Sequence, residues 1–323
     1  MKKATIAFLI LSVALFCTGS PDAGAQGYPS RPLRMIVPFP PGGGTDILAR
    51  IVAQKLGEKL GQQVIVDNRP GAATNIGMEL AARSAPDGYT LLMASIGLAA
   101  NPSLYQKMTF DPLHDLAPVT LVAMAPTVLV VHPSVPARTV KQFISLVQSK
   151  PGKLNYGSYG SGSGAHLAAE LFKMTTGLDI VHVPYKGGGP AITGLMSGEV
   201  QMVFSSMLPV MPHLKSGRLA AIAIASAKRT AALPELPTFR ESGIDYETGT
   251  WFGVLVPTGA PREIVATLHT EIARIVKLPD VQERIAGEGA DPIGNTPAEF
   301  QAFIKSEAAK LGKVVKAAKI TVQ

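Results

Sequence analysis

The sequence predicts an α/β protein in which two doubly wound domains are joined by two chain crossings. Short apolar segments alternate with helical segments along the chain, which is typical of a parallel sheet covered by helices on both faces. The chain has 323 residues, more than one hydrophobic core usually organises. One apolar segment, residues 118–132, is unusually long for a single strand and contains Pro126. We therefore expect this segment to leave one domain and enter the other.

The N-terminus has the pattern of an export signal. Lys2 and Lys3 precede an apolar run over residues 6–16, well short of the roughly twenty residues that span a bilayer. Small residues at positions 23–25 fit a signal-peptidase site. We expect residues 1–25 to be a cleaved signal peptide and the mature protein to be a periplasmic, soluble monomer. The alternatives are an uncleaved anchor and a lipoprotein modified at Cys17, although Phe16 stands where lipidation favours a small residue.

Each predicted domain contains its own series of strands and helices. Strands are predicted over residues 33–37, 64–67, 89–94, 154–157, 180–183, 200–204, 219–225 and 251–256. Helices are predicted over residues 45–60, 76–84, 139–148, 166–174 and 190–196, and from Pro261 and Thr296 onward. Thr296 and Glu299 have the spacing of a capping box. The predicted domain boundaries are 26–127 plus 250–323 for domain 1 and 128–249 for domain 2, an arrangement that resembles a hinged clamshell.

The composition argues against several functional classes. The net charge of +7 is spread along the chain and aromatic residues make up 6%, so no basic stripe for nucleic acid is visible. The six histidines lack metal-ligand spacing, and the single cysteine lies in the predicted signal peptide. No nucleotide P-loop or nucleophile elbow is present, and a lone match to the dinucleotide fingerprint at residues 160–165 is weak. We expect no catalysis, no metal and no cofactor.

Three glycine-rich loops each follow a predicted strand and precede a predicted helix. They are residues 38–46 (PFPPGGGTD), 158–164 (SYGSGSG) and 184–190 (PYKGGGP). At such positions, free backbone N–H groups and the helix dipole favour an anion. In open α/β sheets these loops lie at the carboxyl ends of strands, where ligands bind. The alternative is that the glycines only form tight turns, but three such loops favour an anion site.

Three side chains near these loops have competing interpretations. His166 could hydrogen-bond a ligand carboxylate or could satisfy the local backbone. Asp46 beside Thr45 is better explained as helix capping than as a catalytic acid. Phe39 is expected at the cleft because its loop is polar on both sides, whereas Phe204 and Trp251 are expected in the core.

Several motifs in both halves are similar to the Bug family, the extracytoplasmic receptors of tripartite tricarboxylate transporters. The motifs are residues 28–32 (YPSRP), 37–46 (VPFPPGGGTD), 66–72 (VDNRPGA), 85–92 (APDGYTLL), 181–187 (VHVPYKG) and 251–253 (WFG). The resemblance covers essentially the whole mature chain. It implies a type II periplasmic-binding-protein fold that closes on a carboxylate in the cleft, and membrane subunits of a tripartite tricarboxylate transporter as partners.

The family resemblance also implies a set of ligand-binding residues. Carried over to this sequence, they are Phe39, Gly43, Gly44, Thr45, Ser158, Ser161, Gly162, Ser163 and His166, and Ser205 is added at the strand end that faces the distal part of the ligand. A common family form has an acidic residue at position 205, where it could pair with a ligand ammonium. Its absence disfavours amino acids and favours an aromatic mono- or dicarboxylate such as terephthalate, or an aliphatic dicarboxylate. A receptor that serves signalling rather than uptake, and a periplasmic enzyme, are the alternatives.

Overall fold

The computed structural model describes residues 27–318 and residue 320, so the predicted signal peptide and Cys17 lie outside the described residues. Its strands are Leu33–Val37 (β1), Val64–Asn68 (β2), Thr90–Ala94 (β3), Leu116–Val131 (β4), Asn155–Ser158 (β5), Val181–Pro184 (β6), Met202–Ser206 (β7), Ala220–Ile224 (β8), Gly249–Pro257 (β9) and Asp291–Pro292 (β10). Its helices are Gly44–Leu60 (α1), Asn75–Ala82 (α2), Gly97–Leu104 (α3), Val140–Ser149 (α4), Gly164–Thr176 (α5), Gly188–Met196 (α6), Met211–Lys215 (α7), Arg262–Ile275 (α8), Pro279–Gly287 (α9) and Pro297–Ala317 (α10). No helix within these residues is long and apolar enough to cross a membrane.

The strands form two sheets that share the long strand β4. The first sheet has the order β2-β1-β3-β9-β4, with β10 also paired to β4, and the second has the order β8-β4-β7-β5-β6. Strand β4 pairs with β9 up to Pro126 and with β7 from Thr127 onward. This confirms that the long apolar segment passes from one sheet to the other. The residue boundaries of the two domains stay predictions.

Both sheets are mixed, which corrects the predicted parallel arrangement. Strand β1 runs parallel to β2 and β3, and β5 runs parallel to β6 and β7. Strand β9 is antiparallel to β3 and β4, and β4 is antiparallel to β7 and β8. The antiparallel strands β4 and β9 are the ones that connect the two sheets. Continuous apolar character indicates burial on both faces but does not determine strand direction.

Helices cover both faces of each sheet, as predicted. Helices α1 and α8 pack on one face of the first sheet, and α2, α3 and α10 pack on the other. In the second sheet, α4 and α5 cover one face and α6 and α7 cover the other. The capping box of α10 is confirmed, because the Thr296 N–H donates to Glu299 Oε2 at 2.8 Å and the Glu299 N–H donates to Thr296 Oγ1 at 3.2 Å. The loops that follow β1, β5 and β6 therefore extend from sheets that helices cover on both faces.

Candidate functional site

The three glycine-rich loops line a single cavity of about 950 Å³. This volume falls within the range of pockets that bind small molecules. Residues of the two connecting strands, among them Thr127, Gly249 and Thr250, also line the cavity. The cavity therefore lies where the two sheets meet, and each sheet contributes part of its wall.

Four helices begin at the wall of this cavity: α3, which starts at Gly97, and the three helices that follow the glycine-rich loops. Gly44 of α1, Gly164 of α5 and Gly188 of α6 are the first residues of their helices and all line the cavity. In α1, α5 and α6, the backbone N–H groups of the first two residues have no hydrogen-bond acceptor among the described residues. Free N–H groups at a helix start carry partial positive charge, so the wall offers donors to an anion from both sheets.

Asp46 holds the first glycine-rich loop in place. Its buried carboxylate accepts the Gly42 N–H at 3.0 Å, the Asn68 Nδ2 at 2.9 Å and the Arg50 Nε at 3.0 Å. Burial alone would raise the pKa of Asp46, but the hydrogen bonds from Arg50, Gly42 and Asn68 outweigh it and lower the pKa. Gly42 adopts a left-handed φ of 87°, which suits glycine. The Asp46 carboxylate thus positions the loop and does not line the cavity.

Seven of the predicted site residues line the cavity. They are Phe39, Gly43, Gly44, Thr45, Ser161, Gly162 and Ser163. The structure brings these residues together from the first two glycine-rich loops, one in each sheet. Their role in binding stays a prediction.

The other three predicted site residues, Ser158, His166 and Ser205, are buried behind the lining. Ser158 Oγ lies 2.6 Å from His182 Nε2, and His166 Nδ1 accepts the Gly162 N–H at 3.0 Å. Ser205 Oγ contacts the Tyr159 hydroxyl and donates to its neighbour's carbonyl at 2.6 Å. Successive side chains of a strand point to opposite sides, so Ser206 lines the cavity and Ser205 does not.

Several residues that the sequence patterns did not predict also line the cavity. The loop after β2 contributes Gly71 to Thr74, in which Ala72, Ala73 and Thr74 have positive φ values of 46°, 47° and 82°. Such values are uncommon outside glycine, so no local pattern predicts them. Ser95, Ile96 and Gly97 line the cavity at the end of β3, without a glycine-rich signal. Tyr159 and Tyr185 lie inside glycine-rich loops that were identified, which could have indicated their position.

The charge and shape of the lining favour a small anion with an apolar body. Among the described residues that line the cavity, none is Asp or Glu, and Lys186 is the charged one. Aromatic residues form part of the remaining wall, namely Phe39, Tyr105, Tyr159, Tyr185 and Phe252, whereas Phe204 is fully buried in the core, as predicted. Within the described part of the chain, no group of three His, Cys, Asp or Glu side chains is placed to hold a metal ion.

Comparison with known proteins places the chain in a family. Residues 48–320 match the model of the tripartite tricarboxylate transporter family receptor. The chain belongs to this receptor family. The receptor is also 40% identical over 295 residues to protein BugT of Bordetella pertussis, covering 90% of each chain. The predicted membership of the Bug family is therefore confirmed.

Solved structures show that the receptor has the two-domain fold of periplasmic solute-binding proteins. R. palustris Rpa4515 with adipate is 38% identical, with a TM-score of 0.89 over 91% of the receptor and 99% of that chain. MatC (Rpa3494) from Rhodopseudomonas palustris with bound malate is 30% identical, with a TM-score of 0.84 over 89% of the receptor and 100% of that chain. Receptors of this family are periplasmic, and the type II periplasmic-binding fold predicted for the chain is confirmed.

Proposed function

We propose that this receptor is a periplasmic substrate-binding protein that captures a small organic carboxylate and delivers it to a tripartite tricarboxylate transporter in the membrane. The observation that carries the proposal is the convergence of three helix N-termini on a cavity whose described lining has no acidic side chain. Unpaired N–H groups and the helix dipoles favour a carboxylate there. The adipate and malate in the two related structures support the same ligand class. A cleaved signal peptide over residues 1–25 belongs to this proposal.

The ligand we favour is an aromatic mono- or dicarboxylate such as terephthalate, or an aliphatic dicarboxylate. The cavity of about 950 Å³ has room for a six-carbon chain or a ring, and its aromatic wall suits a flat apolar body. An amino-acid ligand would place its ammonium group in a cavity where Lys186 is the charged residue of the described lining. That pairing is unfavourable, so amino acids are disfavoured even though Ser205 itself lies behind the wall.

A thermal-shift panel tests the binding proposal. The panel contains terephthalate, benzoate, adipate and malate, with glutamate and the uncharged terephthalamide as controls. A ligand at 100 times its Kd should add about 2.7 kcal/mol to the apparent free energy of unfolding. We expect stabilisation by at least one of the four acids and none by terephthalamide. No shift with any carboxylate would contradict the proposal.

Gly43→Val tests where the ligand lies. A Cβ atom at Gly43 meets no other atom within 4 Å and the residue lines the cavity, so a larger side chain projects into open space. We expect a loss of affinity of about tenfold or more, with an unchanged melting temperature of the ligand-free protein. Gly287→Val is the matched control, because its Cβ is equally unobstructed and Gly287 does not line the cavity. Equal affinities of the two variants would place the ligand elsewhere.

An uptake assay tests delivery separately from binding. Liposomes that contain the membrane subunits of the transporter should accumulate the bound carboxylate only when the receptor is added. Binding without receptor-dependent uptake by any such transporter would remove the delivery part of the proposal and favour a sensing role.

A further inference from the structure

Two histidines stack directly behind the second glycine-rich loop. The rings of His166 in α5 and His182 in β6 are parallel within 8°, with centroids 4.0 Å apart. The ring of Tyr156 in β5 stacks on His182 at 4.9 Å. Neither histidine lines the cavity, so this stack is a support for the loop and not part of the wall.

Each histidine is bonded to the loop. His166 Nδ1 accepts the Gly162 N–H at 3.0 Å, and the backbone N–H of His166 donates to Ser163 Oγ at 3.4 Å. Ser158 Oγ, which is hydrogen-bonded to His182, accepts the Gly160 N–H at 3.2 Å. Because these bonds use the N–H groups of Gly160 and Gly162, the loop offers the N–H groups at the start of α5 to the cavity instead.

The bond from Gly162 requires His166 to be unprotonated at Nδ1. A backbone N–H is only a donor, so the proton of the neutral ring must lie on Nε2. This Nε2 atom lies 4.0 Å from Glu170 Oε1, which also receives the Tyr156 hydroxyl at 2.7 Å and Lys173 Nζ at 2.9 Å. A second proton on His166 would therefore face the Gly162 N–H and break that bond.

We propose that neutral His166 is a positioning residue for the ligand, which holds Gly162 so that α5 presents its N-terminus to the carboxylate, and that protonation of His166 weakens binding. This inference rests on the proposed carboxylate-binding function. Burial lowers the pKa of His166, an effect that Lys173 strengthens and Glu170 opposes. Burial, followed by the neighbouring His166, lowers the pKa of His182 to about 4. The stack is therefore neutral near pH 7 and becomes charged only in acid.

Two substitutions at His166 separate the hydrogen bond from the packing. His166→Phe keeps a stacked ring but removes the acceptor, so we expect adipate and terephthalate affinity at pH 7.5 to fall about tenfold. The side-chain oxygen of His166→Asn can stand near the position of Nδ1 and should recover most of that loss. If His166→Phe binds as tightly as the unmodified receptor, the proposal is overturned. Circular dichroism and melting temperature establish that both variants fold.

A pH series provides a readout that packing alone would not change. Between pH 7.5 and 4.5 the Kd of the unmodified receptor should rise more steeply than that of His166→Asn, because ligand protonation is common to both. His114→Asn, at an exposed histidine far along the chain from the loop, should leave the unmodified profile in place. Identical pH profiles for the unmodified receptor and His166→Asn would refute the role of protonation.

A measurement without ligand keeps this inference distinguishable from the proposed function. Nitrogen-15 NMR of the ligand-free receptor should show Nδ1 of His166 unprotonated and Nε2 protonated. The Gly162 amide shift should follow the titration of His166 and be insensitive to pH in His166→Asn. If that coupling is present but no carboxylate binds, the proposed function fails while the positioning of the loop stands. A protonated Nδ1 at pH 7.5 would overturn the positioning itself.

Discussion

The prediction for Ser205 was right about the strand on which it lies and wrong about the direction of its side chain. Ser205 lies one residue before the end of β7, beside the cavity, but the alternation of side chains along the strand turns it away from the lining. Its hydroxyl donates to the Ser206 carbonyl and contacts the Tyr159 hydroxyl, which acts as the donor because Ser205 has only one proton. Burial raises the pKa of Tyr159, so this donor keeps its proton across the physiological range.

The Tyr159–Ser205 bond predicts an asymmetric effect on stability. Ser205→Ala leaves the buried Tyr159 hydroxyl without its acceptor, which should cost about 1–3 kcal/mol of the free energy of unfolding. Tyr159→Phe removes the hydroxyl and leaves Ser205 bonded to Ser206, so it should cost less than about 1 kcal/mol. The double variant should be no less stable than Ser205→Ala. Urea denaturation of the three variants measures this, and a Tyr159→Phe cost above that of Ser205→Ala would contradict it.

Among the helices and strands, the sequence predicted those whose bounds depend on neighbouring residues, and it missed those that depend on distant contacts. Strand β1 and the ends of α1 match the sequence prediction closely, and Gly61 closes α1 in the left-handed conformation expected of a C-cap. Helix α3 was missed because it is buried and apolar without helical periodicity, and it contains Pro102. The left-handed turn at Ala73 was missed because a distant residue supports it, since Asn101 Nδ2 donates to the Ala73 carbonyl at 2.7 Å.

The site was also predictable only in part, because its loops have a local sequence pattern whereas the directions of its side chains depend on distant contacts. Glycine-rich loops between strands and helices are visible in one sequence, and all three converge on the cavity. Which side chains face that cavity depends on strand alternation and on contacts between loops, as Ser205 and His166 show. The lining from Gly71 to Thr74 depends on backbone angles that no residue type there requires.

The first and third glycine-rich loops contact each other beside the cavity. This contact gives a prediction for Gly189 in the third loop. A Cβ atom on Gly189 would lie 2.9 Å from the Pro41 carbonyl oxygen, closer than such atoms normally approach. Gly189→Ala should therefore push the loop after β6 away from the loop after β1 and weaken carboxylate binding by about tenfold, because the wall is no longer closed. Calorimetric titration measures the affinity, and small-angle scattering measures whether the ligand-bound protein stays more open.

Gly287→Ala is the matched control for Gly189→Ala. A Cβ atom at Gly287 meets no atom within 4 Å, and its helix, α9, does not line the cavity. We expect this control to bind like the unmodified receptor. Equal affinity for Gly189→Ala and the control would show that the contact between the two loops does not contribute to binding.

On the scale of the whole molecule, the topology explains why three helix N-termini meet. Strands β1, β5 and β6 each lead directly into a loop and a helix, and their sheets are joined through β4 and β9. Helices that follow parallel strands begin at the carboxyl edge of their sheet. Because β4 and β9 connect the sheets beside this edge, the helix starts of both sheets share one cavity, and rotation about these two connections would change its width.

Acid should lower the free energy of unfolding in two stages. The first stage comes from protonation in the histidine stack, and the second comes from protonation of carboxylates. The pKa of His182 is about 4 in the folded protein against 6.5 ordinarily, so between these values the unfolded chain binds more protons than the folded one. Stability therefore rises with pH from about 4 to 6.5 through this group. Asp46 and Glu170 have lowered pKa values, so the stability they contribute is present above their ordinary pKa and is lost only in stronger acid.

We expect the free energy of unfolding to fall by about 1–2 kcal/mol through His182 between pH 6.5 and 4.5, after allowance for its partial exposure. His182→Gln removes the titrating group and should flatten the curve in this window, because the folded and unfolded states of the variant then differ by one fewer proton. The steeper loss below about pH 4 should persist in the variant, since the carboxylates that cause it are unchanged. Urea denaturation at half-unit pH intervals measures both stages. A variant curve parallel to the unmodified one between pH 4.5 and 6.5 would mean that His182 is as easily protonated in the folded protein as in the unfolded chain.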